Sequence, residues 1–172
     1  MIVGGISGAG KTTLARLLSR RLDLPYVDFD ALFHGPGWTE RTSFREDVEA
    51  FVAGDRWVTD SDGYAVVRDI VWDRADTLVW LDYSRARVMS RVIRRTVARV
   101  VLRQRLFNDN RERFLAPFVD PEHPVRWAWT EHGRRRSTNL RRIAEPRWRD
   151  MSVVRLRSPR ETREWLTRIT GV

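Results

Sequence analysis

The sequence predicts an α/β fold of three layers (α/β/α), a parallel sheet with helices on both faces. Three observations predict it: short apolar runs alternate with amphipathic helical stretches, a glycine-rich turn joins the first run to the first helix, and the next three runs each close on an aspartate. Parallel neighbours need crossover connections, and helices between successive strands supply them. At 172 residues with 42% apolar content, a single domain over 1–172 fits.

Met1 to Gly4 is a short apolar run that reads as a buried strand. The glycine-rich turn follows, and Leu14, Leu17, Leu18 and Leu22 then recur at helical spacing in a helix beginning at Lys11, until Asp23-Leu24-Pro25 ends it. Tyr26 to Asp30 reads as a second strand, on which Asp28 and Asp30 share a face because side chains two apart point the same way. Ser43-Phe44-Arg45-Glu46 is a capping-box pattern; Phe44, Val48, Phe51 and Val52 give the apolar stripe of a helix that Gly54 closes. Arg56 to Asp60 and Thr77 to Asp82 are the third and fourth strands, separated by a short irregular or helical stretch around Val66 to Trp72. Ser84 can cap a long helix from about Arg85 to Phe107, with Val88, Val92, Ile93, Thr96, Val97 and Val100 on its apolar side. On that helix Arg87, Arg91, Arg95, Arg99 and Arg103 repeat every four residues. Pro117, Pro121 and Pro124, with Trp127, Trp129 and the Arg134-Arg135-Arg136 triplet, mark the next stretch as the least regular. Ser152 to Leu156 reads as a fifth strand, and Ser158-Pro159-Arg160-Glu161 opens a last helix with a capping box and proline in its first turn.

The formal charge of +9 and a pI near 11.2 point towards a polyanionic partner. Of the 32 basic residues, however, 31 are arginine and one is lysine, a skew that codon usage in a GC-rich genome produces apart from function. The skew isolates Lys11 as a place where a guanidinium does not replace a compact ammonium. With no cysteine, neither a disulfide framework nor a cysteine-based zinc site can form, and His34, His123 and His132 lack the spacing of structural metal ligands. Any metal is expected to be Mg2+ held by oxygen. No apolar run approaches the roughly 18 residues that cross a bilayer, and no charged leader precedes the first strand, so the expectation is a soluble, cytoplasmic protein without a membrane partner.

Gly5-Ile6-Ser7-Gly8-Ala9-Gly10-Lys11-Thr12 matches G-x-x-x-x-G-K-[ST] at every fixed position, between a strand and a helix. Glycines let backbone N–H groups turn inward around phosphate oxygens, and the helix aims its dipole and unpaired donors at the same anion. The candidate nucleotide-binding residues are Gly5, Ser7, Gly8, Ala9, Gly10, Lys11, Thr12 and Thr13, with Lys11 on the β and γ phosphates of ATP and the Thr12 hydroxyl on Mg2+.

Three branches of such proteins are excluded by absences. A guanine-reading Asn-Lys-x-Asp motif is impossible when Lys11 is the only lysine; no strand-ending aspartate is followed by the glutamate that activates water; no Leu-Ser-Gly-Gly-Gln segment occurs. A phosphoryl-transfer enzyme that needs no water-activating glutamate is left.

The residues resemble bacterial P-loop kinases of the adenylate-kinase-like group, which includes the small topology-modulation proteins. The resemblance rests on Gly5 to Ala15, on Asp30-Ala31-Leu32-Phe33 with Pro36-Gly37-Trp38, on Trp57-Val58-Thr59-Asp60, and on Val79-Trp80-Leu81-Asp82. It implies a five-stranded sheet in which the Asp60 strand lies beside the loop strand, with Asp60 near Mg2+ through water, and an arginine-bearing helical lid at about 95–140. Where this group has Asp-Gly-Asn-Tyr, the chain has Asp60-Ser61-Asp62-Gly63-Tyr64, which implies an altered acceptor site. Asp28-Phe29-Asp30 also resembles the Asp-x-Asp of shikimate- and gluconate-type kinases, where a carboxylate faces the acceptor hydroxyl.

By position alone either Asp60 or Asp82 could serve the metal; Asp60 is preferred and Asp82 is read as a cap. Asp30, at the sheet edge where ligands bind in open α/β folds, is the candidate to orient an acceptor hydroxyl and take its proton. Arg95, Arg99 and Arg103 are candidates to close over the transferring phosphoryl group, while Arg87 and Arg91 read as a solvated face and Arg134 to Arg136 as a surface charge run. Trp38, held in a Gly-Pro-Gly loop, is placed near the acceptor, and the remaining tryptophans mostly in the core. The expected function is ATP-dependent phosphorylation of a small acceptor, a nucleoside monophosphate or a hydroxyl compound. The alternative is a nucleic-acid-associated regulator with weak or no kinase activity.

Overall fold

The computed structural model describes residues 1–35, 39–61, 64–101 and 124–171, with side chains described except at 99–101 and 124–128. Five strands, β1 (Ile2–Gly5), β2 (Tyr26–Val27), β3 (Val58–Thr59), β4 (Thr77–Leu81) and β5 (Ser152–Leu156), form one sheet in the order β2-β3-β1-β4-β5. All four pairings are parallel. Seven helices accompany them among the described residues: α1 (Lys11–Leu22), α2 (Phe29–Phe33), α3 (Phe44–Val52), α4 (Arg68–Arg74), α5 (Arg85–Val101), α6 (Pro124–Ile143) and α7 (Pro159–Thr170).

Alternation along the central strands makes the layers. Ile2, Leu78 and Trp80 face a cluster with Phe44, Val48, Val52, Val71 and Trp72 from α3 and α4. Val3, Val79 and Leu81 face the opposite cluster, with Leu14, Leu18, Val88, Val92, Trp165 and Leu166 from α1, α5 and α7. Both faces of β1 and β4 are therefore covered, which is why these strands read as continuous apolar runs. Leu78, fully buried in the middle of β4, carries one of these layers. Leu78→Ala is expected to cost about 2–5 kcal/mol of unfolding free energy, read from the urea midpoint.

Several local expectations are corrected. The second strand stops at Val27, because Asp28 turns the chain and caps α2, accepting hydrogen bonds from the backbone N–H of Asp30 (3.1 Å) and Ala31 (3.3 Å). Asp28 and Asp30 are thus not neighbours on a strand face. Ser43 does not cap α3: its backbone is already helical (φ −80°, ψ 0°), and its hydroxyl donates to Asp47 at 3.0 Å. Ser158 does cap α7, accepting from the Glu161 N–H at 3.2 Å. The stretch read as least regular ends in a 20-residue helix, α6, which Pro124 opens from the first helical position, where its missing N–H costs no bond. The predicted end of the long helix at Phe107, and 102–123 of the expected lid, lie outside the described residues. Trp57, Trp72, Trp80, Trp148 and Trp165 are buried; Trp129 is exposed and lies under the Arg85 guanidinium. No helix among the described residues is long and apolar enough to cross a membrane.

Candidate active site

Parallel strands bring their C-terminal ends to one edge, and there Gly5 stands in register with Leu81, and Leu81 with Leu156. The chain leaves Gly5 through a loop that needs glycine at two places. At Gly8 the backbone is left-handed (φ +84°), and an added Cβ would lie 2.3 Å from Cγ2 of Val92 on α5. At Gly10, also left-handed (φ +99°), the chain turns directly into α1 at Lys11. No side chain caps α1, so its first N–H groups face the loop as donors for an anion. Gly8→Ala is expected to lower the melting temperature and to abolish the thermal shift given by ATP, since left-handed backbone costs a non-glycine residue about 1–2 kcal/mol before the clash with Val92 is counted.

Beside the loop, carboxylates collect because Val27 and Thr59 are register partners, so Asp28 and Asp60 leave adjacent strands side by side. The Thr12 hydroxyl donates to Oδ2 of Asp60 at 2.5 Å. Asp60 is only 5% exposed, and burial pushes its carboxyl above the usual range, with Asp28 and Asp30 adding to the rise and the Thr12 bond and Lys11 charge opposing it. Burial likewise raises Asp28, helped by the Asp30 charge and countered by its two backbone bonds and by Arg16 at 3.4 Å. Oδ1 of Asp30 accepts a 2.6 Å hydrogen bond from Tyr64, whose phenol burial and the Asp30 charge push up, so it stays a donor. Tyr64 is itself wedged against Phe33 and Phe44, with ring centroids 4.5 and 5.1 Å away.

Two arginines of α5 touch the loop. Nη1 of Arg91 donates to the Ala9 carbonyl at 2.9 Å, and Nη2 of Arg95 lies 3.3 Å from the Ser7 hydroxyl. Arg91 therefore belongs to the site and not to a solvated face; its i,i+4 spacing from Arg95 was the available signal. The side chain of Arg99, and Arg103, lie outside the described residues, as does Trp38. Asp82 is no cap: its side chain, 5% exposed, is held by Arg136 at 3.0 Å and Arg155 at 2.5 Å. Arg136 is accordingly part of an ion-paired cluster and not of a free charge run.

The donors present suit Mg2+. A threonine hydroxyl and a carboxylate are hard oxygen ligands, and Asp60 stands among three mutually repelling acids whose charge a dication offsets. Mg2+ in such sites keeps several waters and leans on substrate phosphates, so one or two protein oxygens suffice. Asp82, engaged by two guanidiniums, is the poorer candidate.

The shikimate kinase family model matches residues 7–36, from the loop through α1 and β2 past the end of α2. The fold is that of a P-loop kinase. The matched stretch contains Lys11, Thr12, Asp28 and Asp30; Asp60, Tyr64 and the α5 arginines lie beyond it. No curated protein matches the chain. Within this P-loop site the sequence reading missed Tyr64, whose hydroxyl donates to Asp30, and Arg16, one turn into α1 and facing Asp28.

Proposed function

We propose that the chain transfers the γ-phosphoryl group of ATP, with Mg2+, to a small acceptor, a nucleoside monophosphate or a hydroxyl compound. The observation that carries this reading is the juxtaposition at one sheet edge of the glycine loop and Lys11, the Thr12–Asp60 pair, and the separate carboxylate of Asp30 held by Tyr64. In this reading the loop N–H groups and Lys11 hold the triphosphate, and Thr12 and Asp60 would hold Mg2+, which would supply neutralisation of the phosphate charge. Asp30 orients an acceptor hydroxyl and takes its proton as the new O–P bond forms and the bond to ADP breaks. Arg91 and Arg95 supply positive charge where negative charge spreads over the transferring group. A cleft of about 190 Å3 beside Ala9 and Gly10, lined by Thr13, Arg91 and Pro159, is the candidate seat for the base of ATP.

The test is ADP release from ATP and Mg2+ across a panel of nucleoside monophosphates and hydroxyl compounds. Stimulation by a particular acceptor is expected. ADP production that no acceptor changes and that Lys11→Ala does not reduce would contradict the reading.

A further inference from the structure

The chain has three tyrosines. Tyr83 pairs with the Thr162 hydroxyl at 2.7 Å, and Tyr26 has the Arg16 guanidinium 5.7 Å from its ring centroid. Tyr64 is the one whose hydroxyl donates to a carboxylate, Oδ1 of Asp30, at 2.6 Å. Both ends of that bond are fixed. Asp30 stands in the first turn of α2, which Asp28 pins by accepting from the Asp30 and Ala31 N–H groups. The Tyr64 ring packs against Phe33, at the other end of the same short helix, and against Phe44 of α3, with centroids 4.5 and 5.1 Å away. A tyrosine ring turns on two side-chain torsions only, so holding the ring aims the hydroxyl. Burial is the largest cause of the rise in the Tyr64 phenol, and the charges of Asp30, Asp28 and Asp60 add to it, so the hydroxyl stands among the carboxylates beside Thr12 and Lys11. In the kinase reading an acceptor hydroxyl donates to Asp30 before its proton is taken, and Tyr64 already stands in that relation.

Resting on that reading, we infer that Tyr64 is itself a phosphoryl acceptor, so that the chain phosphorylates its own phenol from ATP. The phenol oxygen attacks the γ-phosphorus as its proton passes to Asp30; the bond from phosphorus to Tyr64 forms, the bond to ADP breaks, and ADP leaves with the electron pair. The products are an aryl phosphate ester and ADP, and no further reactant is needed. The ester faces Asp28, Asp30 and Asp60, and like charges at such range repel, so transfer stops at one group per chain and is slower than transfer to a free acceptor. Tyr64 and a free acceptor use the same base, so the two compete.

The test incubates full-length protein with Mg2+ and ATP labelled at the γ position, without acceptor, and maps the protein-bound label by peptide mass spectrometry. Label is expected on Tyr64, at a rate independent of protein concentration, and it should survive both acid and alkali, as an aryl phosphate does and an acyl phosphate on aspartate does not. Asp30→Asn and Lys11→Ala should each slow the labelling about 10²-fold or more. Tyr64→Phe keeps a ring between Phe33 and Phe44 and should abolish it; if that variant does not fold, the position mapped in the unsubstituted protein decides. No protein-bound label, label at another residue with Tyr64 unlabelled, or labelling that Asp30→Asn leaves intact overturns the inference. An acceptor that stimulates ADP release should lower the label on Tyr64, and undiminished labelling in its presence overturns the shared base. Phosphorylation of a free acceptor with Tyr64 unlabelled overturns the inference and leaves the kinase reading standing. Label on Tyr64 with no free acceptor phosphorylated overturns the small-acceptor reading and leaves Tyr64 as the acceptor.

Discussion

Lys11→Ala is expected to lower acceptor-dependent ADP release by about 10²- to 10³-fold, the scale of removing one preorganised charge from a transferring phosphoryl group. Lys11 is the first residue of α1, placed there by the left-handed turn at Gly10, and it is the only lysine in a chain that uses arginine 31 times. The fold is expected to tolerate the change, because alanine is the best helix former and Lys11 lies at a helix end. Circular dichroism and melting temperature should therefore stay close to those of the unsubstituted protein while steady-state ADP release collapses. Lys11→Arg should not restore the rate: a guanidinium is wider and planar where a compact ammonium is needed. Recovery by arginine would mean that only charge is required.

Asp60→Asn should separate stability from activity. Burial, with Asp28 and Asp30 nearby, holds the Asp60 carboxyl above its unfolded value. A raised carboxylate contributes stability that is fully present below the unfolded value and is lost as pH rises through the folded one, so at neutral pH the wild-type protein carries a desolvated charge. Asparagine removes that charge and keeps an oxygen for the Thr12 hydroxyl to reach. The variant should be more stable than wild type at pH 7, with the advantage shrinking as pH falls through the window between the two values. Its ADP release should drop about 10²-fold or more, with a higher Mg2+ requirement. Melting curves across pH and Mg2+ titrations of the rate read the two effects separately. A variant that is less stable at neutral pH, or as active at the same Mg2+ concentration, contradicts the assignment.

Much of this site could be read from residues because its parts are local. The Gly5 to Thr12 spacing is set by what backbone and phosphate demand, and Thr77 to Leu81 reads as a strand because both its faces are buried. What could not be read depends on contacts far apart in the chain. Asp28 looked like half of a strand-face pair because the alternation it sits in is compatible with a strand, and only its bonds to two N–H groups turn the segment into a helix. Arg87 and Arg91 are alike in sequence, yet Arg91 is the one that meets the Ala9 carbonyl, since the crossing of α5 over Ala9 decides which turn of the helix arrives there. Arg134, Arg135 and Arg136 look like one charge run, but α6 sends Arg136 to Asp82, just past the end of β4. Tyr64 stands farther from Asp60 than the resembling group's pattern has it, and its partner Asp30 is 34 positions away.

The central claim is transfer of the γ-phosphoryl group to an organic acceptor, and ATP labelled at that group tests it most directly. With Mg2+ and the acceptor that best stimulates ADP release, the label should appear on the organic product in step with ADP, and the Lys11→Ala protein should yield almost none. Label recovered as inorganic phosphate, at a rate the same with and without acceptor, would contradict the account.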